Sequence, residues 1–253
     1  MTADEYLRDI LNREAVDTGP LSLVRGVQTV LYPIIQRWAG NRLLSVHPSG
    51  SFMKGTANKS GTDIDLFISL SEETTETLKE IYDKLFNTMK ANGYTPIRQN
   101  VSINVRQQGY SVDLVPGKRQ TPFGNDHSLY WRRADTWTKT NVITHINHVI
   151  QRGRQNETRI IKLWRNQKQV DFPSFYLELT VIDALPRQYP ETLSSNVWRV
   201  FQYLRDRFTI ARVVDPANTN NIVSDDLTAA VKGKIKAEAE QALGADNWNQ
   251  IVT

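Results

Sequence analysis

Asp63 and Asp65 stand two residues apart in GTDIDLFISL (61–70), a run otherwise built to be buried. On a strand, side chains two apart share a face, so these carboxylates would lie a few ångströms from each other. Like charges that close repel unless something positive lies between them. A third acid, Asp113, alternates against Val112 and Leu114 in YSVDLVP (110–116). If its strand lies beside the first, three carboxylates converge. Three hard oxygen donors with open positions suit Mg²⁺, which completes its octahedron with water and substrate phosphates. The small-residue loop Gly50-Ser51 just upstream would aim backbone N–H groups and the Ser51 hydroxyl at the same ligand. Two such cations would offset the repulsion and grip a nucleoside triphosphate. One would activate an attacking hydroxyl and the other would stabilise a pyrophosphate leaving group. That chemistry requires no general-base histidine, and His145 and His148, at i,i+3 in THINHV, read as helix-surface or packing residues.

The elements that must hold these residues follow from pattern. TADEYLRDILNREAV (2–16) opens with a capping box, Thr2 and Glu5, and predicts a helix. Residues 19–40 predict a second helix, kinked or restarted at Pro33 and stopped by Gly40. RLLSV (42–46) is a short strand, residues 47–61 a loop with one helical turn at most, and DIDLFISL (63–70) a strand. Residues 71–93 predict a helix with Ser71 near its cap, ending at Asn92-Gly93. VSINVR (101–106) and YSVDLVP are strands around a Gln107-Gln108-Gly109 turn. Residues 117–141 read as a loop, and from about residue 140 the pattern is helical, with a turn-rich DPANTNN (215–221) and a last helix capped by Ser224. The fold class is α+β, with two lobes. Residues 1–139 carry a small mixed sheet with flanking helices, residues 140–253 form a helical lobe, and the active site lies in the cleft between them.

Composition bounds the rest. The chain has 253 residues, 40% hydrophobic and 23% charged, ordinary for a globular protein. With no cysteine there is no disulfide framework and no thiolate metal site. No apolar run is long enough to span a bilayer and the N-terminus lacks a signal-peptide layout, so a soluble, cytoplasmic protein without a membrane partner is expected. The net charge of +4 is uneven: residues 117–168 hold eleven Lys/Arg against three Asp/Glu. Either this stretch is a solvated face or it meets a polyanion. Its first part interleaves Lys118, Arg119, Arg132 and Arg133 with Phe123, Tyr130, Trp131 and Trp137. Such a mixture suits the bases and phosphates of a single-stranded oligonucleotide, product or acceptor. Alternatively, the aromatics pack the lobes together.

These motifs resemble the polymerase-β-type nucleotidyltransferase superfamily, within it the branch of oligoadenylate synthetases, cyclic GMP-AMP synthase and bacterial CD-NTases. The resemblance rests on GSFMKGTANKSGTDIDLFISL for the G-S…D-x-D signature, SVDLVP for the third acid, and RIIKLWR, SFYLELTVIDAL and DPANTNN, covering most of residues 45–221. It implies that Asp63, Asp65 and Asp113 are catalytic and hold two Mg²⁺, replaceable by Mn²⁺. It implies that Gly50 and Ser51 hold the β and γ phosphates, that Lys162 and Ser174 hold the triphosphate, and that Phe175 or Tyr176 stacks on a base. From the residues alone, Arg159, Lys162 and Arg165 form a cationic stripe on one helix, and Ser174 is a natural N-cap.

The function implied is template-independent joining of nucleoside triphosphates into a short oligonucleotide, cyclic or linear, with pyrophosphate release. In the bacterial branch such products signal in anti-phage defence to an effector protein. Linear DNA or RNA synthesis, CCA addition to tRNA and a nucleotide-transferring toxin are the alternatives. A CCA-adding enzyme normally carries further RNA-binding domains, and a vertebrate-type DNA sensor carries a zinc-binding insertion that needs a Cys/His cluster. A non-catalytic scaffold would not need all three acids.

Overall fold

The computed structural model describes residues 1–19, 21–61, 63–186 and 191–253. In chain order these form α1 (Ala3–Arg13), α2 (Leu23–Ala39), β1 (Leu43–Pro48), α3 (Gly50–Lys54), β2 (Ile64–Leu70), α4 (Leu78–Ala91), β3 (Ile97–Arg98), β4 (Ile103–Gln107), β5 (Tyr110–Arg119), β6 (His127–Trp131), β7 (Thr136–Thr140), α5 (Val142–Arg152), α6 (Gln155–Gln167), α7 (Ser174–Ala184), α8 (Leu193–Asp206), β8 (Val214–Asp215), β9 (Asn218–Ile222) and α9 (Ala229–Leu243). The chain divides into two compact units, one of residues 17–53 and 62–146, the other of 1–16, 54–61 and 147–253. The division is not a single cut between 139 and 140, because α1 and residues 54–61 group with the C-terminal helices.

The first unit is built on a mixed sheet in the order β1-β2-β5-β4-β3, with the β6–β7 hairpin continuing from the end of β5. β2 and β5 run parallel, and the other pairs are antiparallel. A parallel strand is covered on both faces, which is why β2 reads as a near-continuous apolar run. Ile64, Leu66, Ile68 and Leu70 are buried on one face with Val112 and Leu114 of β5. Each such side chain contributes about 1.5–3 kcal/mol relative to exposure. α2 and α4 pack on this sheet. The β4–β5 connection is tight because Gln108 and Gly109 both take positive φ, 53° and 85°, as a two-residue hairpin turn requires.

The second unit is helical. Trp164 of α6 meets Phe201 of α8 edge-on at 5.1 Å, and Phe172, Tyr176 and Phe208 form an aromatic group at 5.0–5.3 Å. The capping box on α1 is present: Glu5 N donates to Thr2 Oγ1 and Thr2 N donates to Glu5 Oε2.

Several boundaries differ from expectation. α2 runs unbroken through Pro33, and the expected helix start includes Pro20, which lies outside the described residues. α4 starts later than Ser71, at a capping box made by Thr77 and Glu80. α9 is capped by Thr228, while Ser224 is buried in a short 3₁₀ turn before it. Residues expected as loops form β6, β7, β8 and β9. β7 pairs only with β6, and its Thr-Trp-Thr-Lys-Thr sequence is polar because an edge strand needs no buried face. Among the described residues no helix is long and apolar enough to cross a membrane.

Candidate active site

Parallel pairing sets Asp65 directly opposite Asp113. The strand register alone therefore brings two of the three acids together. Asp63 is exposed and stands one residue before β2 begins, so it reaches the site from a loop rather than from the sheet. On the other side of β5, Asn104 of β4 lies opposite Asp113, and its Nδ2 donates to Asp113 Oδ1 at 2.8 Å. Burial pushes the Asp113 carboxyl up; the Asn104 bond opposes this, and the Asp63 charge pushes it further up. Neither Asp63 nor Asp113 forms an ion pair among the described residues.

The Gly50-Ser51 loop is tied to the same strand. Ser49 N donates to Asp65 O at 2.8 Å. Gly50 takes φ +55°, and a Cβ there would fall 1.7 Å from Asp65 Oδ2. No side chain fits between this turn and the carboxylate, so the glycine is a requirement of close approach. Ser51 is half-buried in α3, and its hydroxyl makes no hydrogen bond among the described residues. The donor set is hard oxygen with a surplus of negative charge, which fits a divalent cation bound with phosphate. Among the described residues, however, no three acidic or imidazole side chains already enclose a metal-sized space.

In the helical unit the expected nucleotide-binding residues separate into different environments. Lys162 is not an exposed member of a cationic stripe. It is buried, and its Nζ donates to Glu178 Oε1 at 2.7 Å and to Thr56 Oγ1 at 3.0 Å. Lys54 joins the group, donating to Glu178 Oε2 at 2.9 Å with its Nζ 4.4 Å from the Phe175 ring centre. Burial alone would raise the Glu178 carboxyl, but Lys54, Lys162 and the Thr56 hydroxyl outweigh it and hold the pKa near about 2. Burial pushes the Lys162 ammonium down, against the pull of Glu178. The flanking arginines are held internally: Arg159 donates to Leu11 O and Asn58 Oδ1, Arg165 to Phe172 O and Ser174 Oγ. Ser174 is exposed and is the first residue of α7, with Pro173 at the cap position, so its hydroxyl does not cap the helix. Tyr176 is excluded as a base platform: it is 0% exposed, its ring packed against Phe172 and Phe208. Phe175 is half-buried and keeps that possibility.

Glu178, Lys54 and Thr56 carry this network without having been singled out by sequence. A signal existed. In SFYLELTVIDAL the central glutamate is flanked by Leu177, Leu179, Val181 and Ile182, and a carboxylate buried among apolar residues needs cationic partners.

The basic stretch is not a loop leaving the aspartates. β5 continues through Lys118 and Arg119, five and six residues past Asp113, which places them about 17–20 Å along the strand. Arg119 is paired with Glu72 at 2.8 Å. Arg132 and Arg133 sit in the β6–β7 turn, where Arg132 Nε donates to Gln99 O and Arg133 N to Asn100 Oδ1. Tyr130 is buried on Tyr82, its hydroxyl donating to Asp135, so it cannot stack on a base. Phe123 and Trp137 remain exposed.

Comparison with known proteins agrees with this construction. Residues 34–123, from within α2 through β5, match the nucleotidyltransferase domain family. The cyclic AMP-AMP-AMP synthase of Escherichia coli strain MS 115-1 is 26% identical over 218 residues, covering 70% of this chain and 68% of that protein. Among solved structures, E. coli MS115-1 CdnC with ATP superposes with a TM-score of 0.75 at 20% identity, covering 96% of this chain and 91% of the other. The Elizabethkingia meningoseptica CdnE cyclic dinucleotide synthase, solved with GTP and Apcpp, gives 0.74 at 13% identity, covering 97% and 100%. The domain match, the relative and the fold agree with the acids on β2 and β5: residues 34–123 resemble a nucleotidyltransferase domain, and the chain has the fold of the CdnC and CdnE structures.

Proposed function

We propose that the chain joins nucleoside triphosphates without a template into a short oligonucleotide that closes into a ring, releasing pyrophosphate. The observation that carries this reading is the Asp65–Asp113 register, with Gly50 turned against Asp65. Ring closure is supported by the similarity to a cyclic AMP-AMP-AMP synthase and a cyclic dinucleotide synthase. By the same similarity the product is a signal in anti-phage defence, made in the cytoplasm from ATP or another nucleoside triphosphate and read by an effector protein.

In this reading Asp63, Asp65 and Asp113 hold two Mg²⁺ ions, with Mn²⁺ able to replace them. Cations held there supply charge neutralisation for the triphosphate and acidify the attacking hydroxyl. Gly50 permits the backbone to pass close to the phosphates, and Ser51 donates its hydroxyl to them. Lys162, fixed in direction by Glu178 and Thr56, and Ser174 are assigned to the triphosphate. Phe175 is assigned to the base.

The test is incubation with each labelled nucleoside or deoxynucleoside triphosphate, with Mg²⁺ or Mn²⁺. Mass spectrometry and digestion with phosphatase and nuclease then identify the product. A phosphatase-resistant, nuclease-sensitive product formed without template or tRNA is expected. A product with a free 5′-triphosphate would establish linear synthesis instead. Activity only with tRNA ending before its CCA would replace this reading with tRNA repair.

A further inference from the structure

The two facing acids belong to a row that continues onto a third strand. Asp65 of β2 lies opposite Asp113 of β5, and Asp113 lies opposite Asn104 of β4. Alternation puts Ser111, two residues before Asp113 on β5, on the same sheet face. The tight turn at Gln108-Gly109 fixes this register. A slip of one residue would bring an apolar neighbour, Ile103 or Val105, opposite Asp113 in place of Asn104.

Asn104 is buried, with 9% of its surface exposed. Its Nδ2 donates to Asp113 Oδ1 at 2.8 Å and to Ser111 Oγ at 2.8 Å. A carboxylate only accepts, so the amide nitrogen and not the amide oxygen faces Asp113. A primary amide has two hydrogens on its nitrogen, and these two acceptors use both. The amide cannot turn about its last torsion without breaking both bonds. The clamp makes the carboxylate asymmetric. Asp113 Oδ1 is held, whereas Oδ2 has no hydrogen-bond partner among the described residues.

The residue type matters. A lysine or arginine would also hold Oδ1, but it would cancel the charge, as Lys54 and Lys162 do for Glu178. A leucine of similar shape would leave the carboxylate free to rotate, and an aspartate would repel it. Directly opposite residues have Cβ atoms about 4.5–5.5 Å apart, within reach of an asparagine amide. Asparagine therefore orients the acid and leaves its charge available. We propose that Asn104 is a positioning residue for the reaction: it sets the direction in which Asp113 presents Oδ2 to a divalent cation, and Ser111 holds the amide in turn. This rests on the assignment of Asp113 to the cations made above. Losing a partner that orients a metal-binding carboxylate typically costs about 10–100-fold in metal affinity or activity.

The experiment titrates the full chain with Mn²⁺ in the absence of nucleotide and follows bound metal by electron paramagnetic resonance. Asp65→Asn and Asp113→Asn define the binding that belongs to the acids. Asn104→Leu removes both hydrogen bonds at similar shape and should weaken that binding about 10–100-fold, with a Tm close to wild type. Asn104→Ser, shorter and polar, serves if the leucine variant fails to fold. Ser111→Ala keeps the amide–carboxylate bond and should weaken binding less than either. In turnover, excess Mn²⁺ should restore kcat in Asn104→Leu but not in Asp113→Asn. In the wild type, both side-chain amide protons of Asn104 should shift as Mg²⁺ saturates the site in ¹H–¹⁵N spectra, a readout that needs no variant. The proposal is overturned if folded Asn104→Leu and Asn104→Ser bind Mn²⁺ as tightly as wild type while Asp113→Asn does not, or if the Asn104 amide signals stay in place while Mg²⁺ binds. Asp65→Asn and Asp113→Asn both binding as wild type does is a different failure: it removes the aspartates from the metal site, and the role of Asn104 goes with them.

Discussion

The two charge clusters of this molecule are built in opposite ways. At β2 and β5, Asp65 faces Asp113 across a parallel pair, Asp113 is raised by burial and by Asp63, and it accepts a hydrogen bond from the uncharged Asn104 amide. In the helical unit, Glu178 is buried more deeply than either but lies between Lys54 and Lys162, with Thr56 completing its hydrogen bonds. The first arrangement leaves negative charge for something else to cancel. The second cancels its carboxylate from within and keeps one positive charge in surplus. Burial and a like charge push the first carboxyl up, whereas two ammonium groups outweigh burial and push the second down.

Removing a carboxylate from the acidic pair should cost activity without costing stability. Asp65→Asn is expected to lower nucleotide incorporation by at least about 10³-fold, about 4 kcal/mol in the barrier. Its Tm should be unchanged or slightly higher, because repulsion with Asp113 is relieved. Incorporation of labelled triphosphate and a melting curve on the same preparation check both halves. Retained activity would remove the aspartates from the chemistry.

Removing the compensated charge should do the reverse. Glu178→Gln leaves two buried ammonium groups around a neutral amide, and a loss of about 3–5 kcal/mol of stability is expected at neutral pH. The pH dependence follows from the depressed carboxyl. A group whose folded pKa lies below its unfolded value stabilises the fold above the unfolded value, and that stability is lost as pH falls through the folded one. With Glu178 near about 2 in the fold against an ordinary 4.5, the gap between wild type and Glu178→Gln should narrow between those two pH values. Denaturant titrations across that range measure it, and a gap independent of pH would mean that the pair is not ionised.

The same contrast explains what could be read from the chain. The carboxylate pair was legible because Val112-Asp113-Leu114 and Ile64-Asp65-Leu66 interrupt apolar runs at matching positions, and strand alternation turns that into a common face. The partner of Glu178 was not legible, since Lys54, Thr56 and Lys162 come from distant segments and a helical lysine usually points to solvent. Local signals failed in the same way at Ser71 and Ser224. Both are plausible caps, yet Thr77 and Thr228 are the residues that meet the helix starts. β6 and β7 were missed because their residues are polar and carry no apolar alternation.

Gly50→Ala sharpens the comparison at a single atom. The added methyl would collide with the Asp65 carboxylate and hold an alanine at positive φ. Asp65 must rotate or the turn must shift, so a loss of about 1–2 kcal/mol of stability is expected. Because the displaced group is the carboxylate itself, activity should fall further than stability alone explains, by about 10–100-fold. Comparing kcat with Tm separates the two. A variant that is less stable but fully active would mean that the close approach serves folding only.

The smallest effect is expected from Arg132→Ala/Arg133→Ala, and it decides what the basic residues beyond the aspartates are for. As an extension of the active site, they would meet the phosphates of a bound strand. Losing them would then weaken single-stranded oligonucleotide binding and flatten its salt dependence, because fewer counterions are released. The structure gives the Arg132 side chain other work. Arg132 holds the Gln99 carbonyl and the backbone of Arg133 holds Asn100, so this turn is fastened to the loop leading into β4. Lys118 and Arg119 are likewise carried to the far end of β5 from Asp113. The expected outcome is therefore a fall in Tm of about 1–2 °C, unchanged triphosphate incorporation and an unchanged salt slope. A flattened slope with an unaltered Tm would return these arginines to the acceptor strand. It would also mean that a bound oligonucleotide runs about 20 Å along the sheet from the aspartates.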